Sequence, residues 1–399
     1  MKDKVKKVKQ LLVNIVKYFK FLHKIYYYSA NFFLKAIKLF IKTDDKLILI
    51  NSFGGKKYDD SPKAIYEEMK KDKRFNDYKI VWAFHNPENY IINGAEVIKT
   101  DTLKYFITAL KARCWITNSA IERGLRFKGK NTFYFNTWHG TPLKKMGTDI
   151  SSQNKSFGVK GNSLVDIMTA QSDFEADIFS RVFRIPRENF LMCGLPRNDN
   201  LKNYTSSERE EIRERLNIPK DKKVILYAPT FREFERDSKL NCTLIPPMDI
   251  NLWETQLKED FCLLFRAHYE VSNLMEIEDN EFVRNMTSYP SLDELMIASD
   301  ILITDYSSIM FDWCVMDKPV FLFCYDYEQY EAKRGMYFDI RESFSNGTNE
   351  NEIINILKNY ILGEELNKVN LFKNKYLNYY GNATKSSLEC ILKNIGGIK

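Results

Sequence analysis

Apolar positions change their rhythm along the chain. Through the first forty residues they recur at helical spacing. At 100° per residue Val5, Val8, Leu11, Leu12, Ile15, Val16, Phe19, Leu22 and Tyr26 share one face, and Lys6, Lys9, Lys17, Lys20 and Lys24 occupy another. From Lys46 short apolar runs alternate with helical stretches of about ten to fifteen residues, the mark of βαβ units and parallel sheets. KLILINSFGG, YKIVWAF, AEVIKT, CWITNS, TFYFNTW, VDIMTAQS and NFLMCG read as strands. In DSPKAIYEEMKK, Ser61 is the expected N-cap, with Pro62 at the first helical position. The polar interval RNDNLKNYTSSEREEIRERL separates these from a second series: KKVILYAPTFR, DFCLLFRAH, EFVRNMT, DILITDYSS and PVFLFCYD. SLDELMIAS precedes one of these strands as a helix, and helical periodicity returns from about residue 349 in IINILKNYIL and SLECILKNI.

The pattern predicts an α/β protein with two doubly wound, Rossmann-like halves, residues 46–203 and 204–399, preceded by a basic amphipathic segment, residues 1–45. Such sheets bind ligands outside the carboxyl ends of their strands, so the loops just after strands are where chemistry is expected.

Composition adds that the chain folds: 44% hydrophobic and 14% aromatic residues against 28% charged suffice to offset the entropy of ordering. Charge is uneven. The formal total is +7, yet residues 1–42 hold eleven Lys, no Arg and one acid, which leaves the rest at −3. That excludes a nucleic-acid-binding body and gives one basic segment its own task. Its longest uncharged run, residues 25–34, is about half of what a bilayer-spanning helix needs. Lysines interrupt every candidate signal region and no small-residue cleavage pattern follows, so the chain is expected to stay in the cytoplasm. With Tyr26, Tyr27, Tyr28, Phe32 and Phe33 in its second half, the segment suits the interface of an anionic leaflet, each Lys adding on the order of 1 kcal/mol. The competing reading is a solvated helix packed on the body or on a partner. Seven scattered cysteines, without CxxC or Cys/His clusters, read as small buried hydrophobes in a reducing compartment.

Strand-end loops from both halves combine reactive and anion-binding side chains. WHGTPLKK places His139 between Trp138 and Gly140; Thr141-Pro142 is expected to open a helix whose positive end, with Lys144 and Lys145, suits an anion. APTFR offers Pro229, Thr230 and Arg232, and RAH sets Arg266 and His268 either side of Ala267. In TDYSSIMFDW, Asp305 precedes Ser307 and Ser308 at an expected helix start. Asp312 follows one turn later, placed to accept polyol hydroxyls. Each has a structural reading too: a strand-end His is often a packing residue, and Ser-Ser before a helix is often only a cap. Their shared position lifts them. His23 and His85 lack comparable neighbours and read as structural.

WHGTPLKKMG, GLPRND, YAPTFR, RAHY and TDYSSIMFDW, in this order, resemble the signature stretches of the CDP-glycerol glycerophosphotransferases of teichoic acid and capsular polymer synthesis; SFGGKKYDDSPKAIYEEM and KRGMYFDI also resemble that family. The resemblance runs from about residue 51 to 340. It implies a GT-B fold, an acceptor-side first domain, a second domain that holds CDP-glycerol, and peripheral attachment to the inner membrane face. It further implies His139 as catalytic base, with Arg197, Pro229-Thr230, Arg266 to His268, Ser307, Ser308 and Asp312 contacting CDP-glycerol. The chain is shorter than the family's polymerases, which implies a primase-like enzyme. The expected reaction is attack of a lipid-linked acceptor hydroxyl on the β-phosphorus, expelling CMP, without a metal, since no acidic pair falls in the four loops. The rival readings are a CDP-ribitol transferase, a GT-B glycosyltransferase using a nucleotide sugar, and a non-catalytic nucleotide-binding module.

Overall fold

The computed structural model describes residues 20–150, 163–230, 232, 242–244, 246–267, 271–274 and 277–396. In the first sheet β1 (Asp44–Asn51), β2 (Lys79–Phe84), β3 (Ala95–Lys99), β4 (Ala112–Thr117), β5 (Phe133–Asn136), β6 (Ile167–Ala170) and β7 (Phe190–Met192) lie in the order β3-β2-β1-β4-β5-β6-β7. The strands that follow are β8 (Lys223–Tyr227), β9 (Cys242–Leu244), β10 (Phe261–Phe265), β11 (Val271–Leu274), β12 (Val283–Asn285), β13 (Ile301–Thr304), β14 (Val320–Phe323) and β15 (Ser345–Gly347). Six of them form a second sheet, β12-β10-β8-β13-β14-β15, while β9 and β11 pair separately. The ladders are parallel, and strands such as β10, β13 and β14 are buried along their whole length, which is why they read as unbroken apolar runs.

Both sheets share one topology. Each begins at a central strand, steps outward twice, then returns to the other side of that strand, so the order reverses between β1 and β4 and again between β8 and β13. Such reversals are the topological switch points at which doubly wound sheets bind ligands. Three strands were invisible to the periodicity: β9, β11 and β15 are three or four residues long and carry no apolar run.

The chain divides into two compact units. The described parts of Met1–His139, Ser163–Met168 and Ser387–Lys399 make the first; those of Gly140–Asn162 and Thr169–Ser386 make the second. The polar interval that suggests a single boundary near residue 203 folds into two helices, Asp199–Asn203 and Ser206–Arg215. The latter is closed by a capping box between Thr205 and Glu208.

One local expectation needs correction. The helix Asp60–Met69 starts before Ser61: the Asp59 carboxylate accepts from the Asp60 N–H, so Asp59 is the N-cap and Ser61 lies in the first turn. The helix Lys20–Lys38 divides its residues between two fates. Tyr27, Ala30, Leu34, Ile37 and, just beyond, Ile41 pack against the first unit's core of Leu49, Val81, Trp115 and Tyr134. Its other face leaves Phe21, Ile25, Tyr28, Phe32 and Phe33 in solvent, Phe32 being 76% exposed. Residues 1–19, with most of the predicted amphipathic face, lie outside the described residues. Among the described residues no helix is long and apolar enough to cross a membrane. Cys114, Cys193, Cys262, Cys314 and Cys324 are buried free thiols; the side chain of Cys242 lies outside the described residues.

Candidate functional site

In the first unit the ends of β1, β4 and β5 fix the surroundings of His139. Asn136 accepts the Trp138 N–H at 2.7 Å and donates to the Ser119 carbonyl at 2.8 Å, and the Thr137 N–H reaches the Thr117 carbonyl at 2.9 Å. These bonds hold Trp138 at φ +51°, a left-handed conformation that non-glycine residues adopt only when the surroundings impose it. The His139 ring is half-buried, with Nδ1 2.8 Å from the Asn118 carbonyl oxygen. A carbonyl only accepts, so Nδ1 carries the proton and Nε2 is the basic nitrogen. The Trp138 indole stacks on the imidazole at 4.2 Å and the Phe53 ring lies 5.7 Å away. Phe53 is itself held: its N–H donates to the Asn118 side chain at 2.7 Å, and that of Gly54 to the Ser119 hydroxyl at 2.8 Å. The ring is thus fixed in tautomer and orientation. His85, by contrast, hydrogen-bonds Thr100 at 2.7 Å, and the side chain of His23 lies outside the described residues.

The second unit begins with Gly140, at φ +150°. A Cβ on this residue would stand 3.3 Å from the Ser308 hydroxyl and 3.7 Å from Arg197 Nη2, a close approach at a φ that favours glycine. No helix opens at Thr141-Pro142, contrary to expectation. Thr141 and Pro142 are buried, and the Thr141 hydroxyl is drawn to Glu175 and Gln171. The following residues run alongside the KRGMYFDI stretch: Tyr337 N–H donates to the Leu143 carbonyl, Lys145 N–H to that of Gly335, and Lys144 bridges Met336. Lys144 Nζ lies 5.4 Å from the Tyr330 ring centre, and no helix dipole adds to its charge.

At the β8 and β13 ends the predicted residues are brought together, but several are turned to one another. Arg232 is 2% exposed and joins Asp305 at 2.9 Å and Asp326 at 2.7 Å, among the rings of Tyr306, Tyr325 and Tyr330. Asp305 also accepts the Thr230 and Tyr306 N–H groups. Both charges are thus engaged with each other inside the second unit. Asp312 receives Arg197 Nη2 at 2.8 and 3.0 Å and Asn198 at 2.7 Å, so it holds Arg197 in place. Ser308 sits at the N-cap of the short helix Ile309–Cys314 without a side-chain cap bond, and the Ser307 hydroxyl accepts from the Ile309 N–H. Pro229 and Thr230 are buried, and the Thr230 hydroxyl has no partner among the described residues. Arg266 donates to the carbonyls of Met286 and Tyr289, and the Ala267 N–H donates to Thr287. His268 lies outside the described residues. Among the described residues no three His, Cys, Asp or Glu side chains gather as a metal site would require.

Sequence reasoning missed Glu175, Gln171 and Asn198. Glu175 is fully buried in the helix Asp173–Phe183; Ser172 caps that helix by accepting the Glu175 N–H. The spacing Ser172-x-x-Glu175 was a visible signal, but it reads as an ordinary capping box. In the structure the carboxylate turns away from Ser172 and accepts the Gln171 N–H at 2.5 Å.

Two parallel sheets of this strand order define an α/β protein of the doubly wound class, with a tautomer-fixed imidazole at a strand end of the first unit and a Ser/Arg cluster in the second. The chain belongs to the CDP-glycerol:poly(glycerophosphate) glycerophosphotransferase family, whose sequence profile matches residues 33–393. It is 36% identical over 312 residues to the teichoic acid poly(glycerol phosphate) polymerase of Staphylococcus epidermidis, covering 74% of this chain and 43% of the polymerase. This chain therefore spans less than half the length of that relative. It is 34% identical to the teichoic acid glycerol-phosphate transferase of Staphylococcus aureus, over 81% of this chain and 86% of that one. A structure of a variant of the wall teichoic acid polymerase TagF, soaked with CDPG, superposes with a TM-score of 0.81 at 31% identity, covering 99% of this chain and 98% of that one.

Proposed function

We propose that this protein transfers glycerol phosphate from CDP-glycerol to a hydroxyl of a lipid-linked acceptor, releasing CMP, in teichoic acid or related polymer synthesis, and that it is of the GT-B class. The observation that carries the reading is the His139 tautomer: an imidazole whose Nδ1 proton is committed to Asn118 presents a basic Nε2, as a general base must. The acceptor oxygen attacks the β-phosphorus in line. The new O–P bond forms as the bond to CMP breaks, CMP leaves with the bonding pair, and the hydroxyl proton passes to His139. Such transfer depends mainly on positioning and charge stabilisation. Arg197, Arg266, His268, Ser307 and Ser308 supply these, with Pro229 and Thr230 beside them. Trp138, Gly140, Thr141, Pro142 and Lys144 shape the approach to the donor. The Thr230 hydroxyl, without a partner among the described residues, supports a role in substrate contact.

The same proposal places the protein on the cytoplasmic face of the membrane. The exposed aromatic face of Lys20–Lys38 and the lysines before it would rest on anionic lipid. Sedimentation with phosphatidylglycerol and phosphatidylcholine vesicles tests this: binding only to the anionic vesicles, reduced by Phe32→Ser, is expected, and equal recovery in both supernatants overturns it. The reaction is tested by incubating purified protein with a synthetic lipid-linked disaccharide and CDP-glycerol, CDP-ribitol or a UDP-sugar. CMP release and a product heavier by glycerol phosphate, with CDP-glycerol alone, are expected. Turnover with CDP-ribitol or the UDP-sugar instead overturns the donor, and binding without turnover overturns the enzyme.

A further inference from the structure

Glu175 belongs to a buried hydrogen-bond chain that reaches both ends of the donor cluster. Its Oε1 lies 3.1 Å from the Thr141 hydroxyl, which also receives Gln171 Nε2 at 2.8 Å. Gln171 Oε1 accepts from Asn198 at 3.3 Å, and Asn198 in turn donates to Asp312, the carboxylate that holds Arg197. Thr141 adjoins Gly140, which packs on Ser308 and Arg197. A glutamine could keep the Gln171 N–H bond and donate to Thr141 in place of accepting from it, without charge, so a titratable group here has a consequence that packing does not require.

We propose that Glu175 is a positioning residue whose ionisation lowers the affinity of this cluster for its anionic donor. This rests on CDP-glycerol being that donor. Burial pushes the Glu175 carboxyl up to about 7, against the pull of the Gln171 N–H and Thr141 hydrogen bonds and of the Arg197 charge. Among the described residues the charged groups that act on it most strongly are Arg197 and Asp312. Once ionised, Glu175 and Asp312 together place two negative charges around one guanidinium. Ionisation also makes the Thr141 hydroxyl a donor to Glu175, whereas the protonated acid can donate to Thr141. The donor diphosphate keeps its two negative charges across neutral pH, so any change in its affinity there belongs to the protein.

The test is calorimetric binding of CDP-glycerol to the full chain between pH 6 and 8.5, in buffers of different ionisation enthalpy. The dissociation constant should rise about fivefold or more across this range, the effect of roughly 1 kcal/mol of added repulsion. Proton uptake should accompany binding near pH 7.5 and persist in His139→Ala. In Glu175→Gln the affinity should match the wild type at pH 6 and stay flat. Binding that is independent of pH, or the wild-type pH dependence retained in Glu175→Gln, overturns the role of Glu175. Should that variant fail to fold, absence of proton uptake in the wild type overturns it as well. No binding at any pH overturns the donor reading, and this inference with it.

Discussion

Replacing Arg232 by methionine separates two accounts of the YAPTFR motif. The structure spends the guanidinium on Asp305, which is fully buried, and Asp326, which is partly buried, with three aromatic rings at 5.0–5.1 Å from its central carbon. Methionine keeps most of the volume but leaves both carboxylates without their cation. Removing one partner of a buried ion pair costs about 3–5 kcal/mol. For a unit of this size that corresponds to a fall in Tm of roughly 6 °C or more. Scanning calorimetry is the assay, since it resolves transitions of separate units. Adding Asp305→Asn should recover part of the loss: Oδ1, which accepts the Thr230 and Tyr306 N–H groups, is retained, and only the oxygen facing Arg232 changes. If Arg232 instead grips the donor diphosphate, Arg232→Met will melt like the wild type and show a raised KM for CDP-glycerol. That result would refute the structural account.

His139→Ala should fold, bind CDP-glycerol and lose about 10²- to 10⁴-fold in kcat, measured as CMP release; turnover within tenfold of wild type removes His139 as the base. Glu175 makes stability depend on pH. Its folded-state value, about 7, lies above the usual 4.5, so its contribution is fully present below pH 4.5 and is lost as pH rises to about 7, amounting to roughly 3 kcal/mol. Urea melts of Glu175→Gln should lack this decline, and an identical decline would assign it to other groups. Treatment with EDTA should leave the transferase active, since positioning and fixed cations suffice for the proposed chemistry; loss of activity restored by Mg²⁺ refutes this.

The βαβ alternation was legible because a parallel strand buried on both faces is one uninterrupted apolar run, and Ile301–Thr304 and Val320–Phe323 are such runs. Short strands such as Ser345–Gly347, which pairs with β14, have no such signature; neighbours supply their hydrogen bonds. Candidate residues were legible as types at strand ends, but their partners were not. Arg232 and Asp312 look like ligand contacts in sequence, and only folding shows them committed to Asp305, Asp326 and Arg197.

The sequence by itself determined which apolar runs become strands, that their loops carry imidazole, hydroxyl and guanidinium groups, and the family to which the chain belongs, because hydrophobic period and ordered motifs are local properties. Tertiary structure alone decided which of those charges neutralise one another, which nitrogen of His139 is basic, and that Glu175 is fully buried. Those outcomes depend on distances between residues more than a hundred positions apart, as with Arg197 and Asp312, or on a carbonyl supplied by a neighbouring strand end, and no local pattern encodes them.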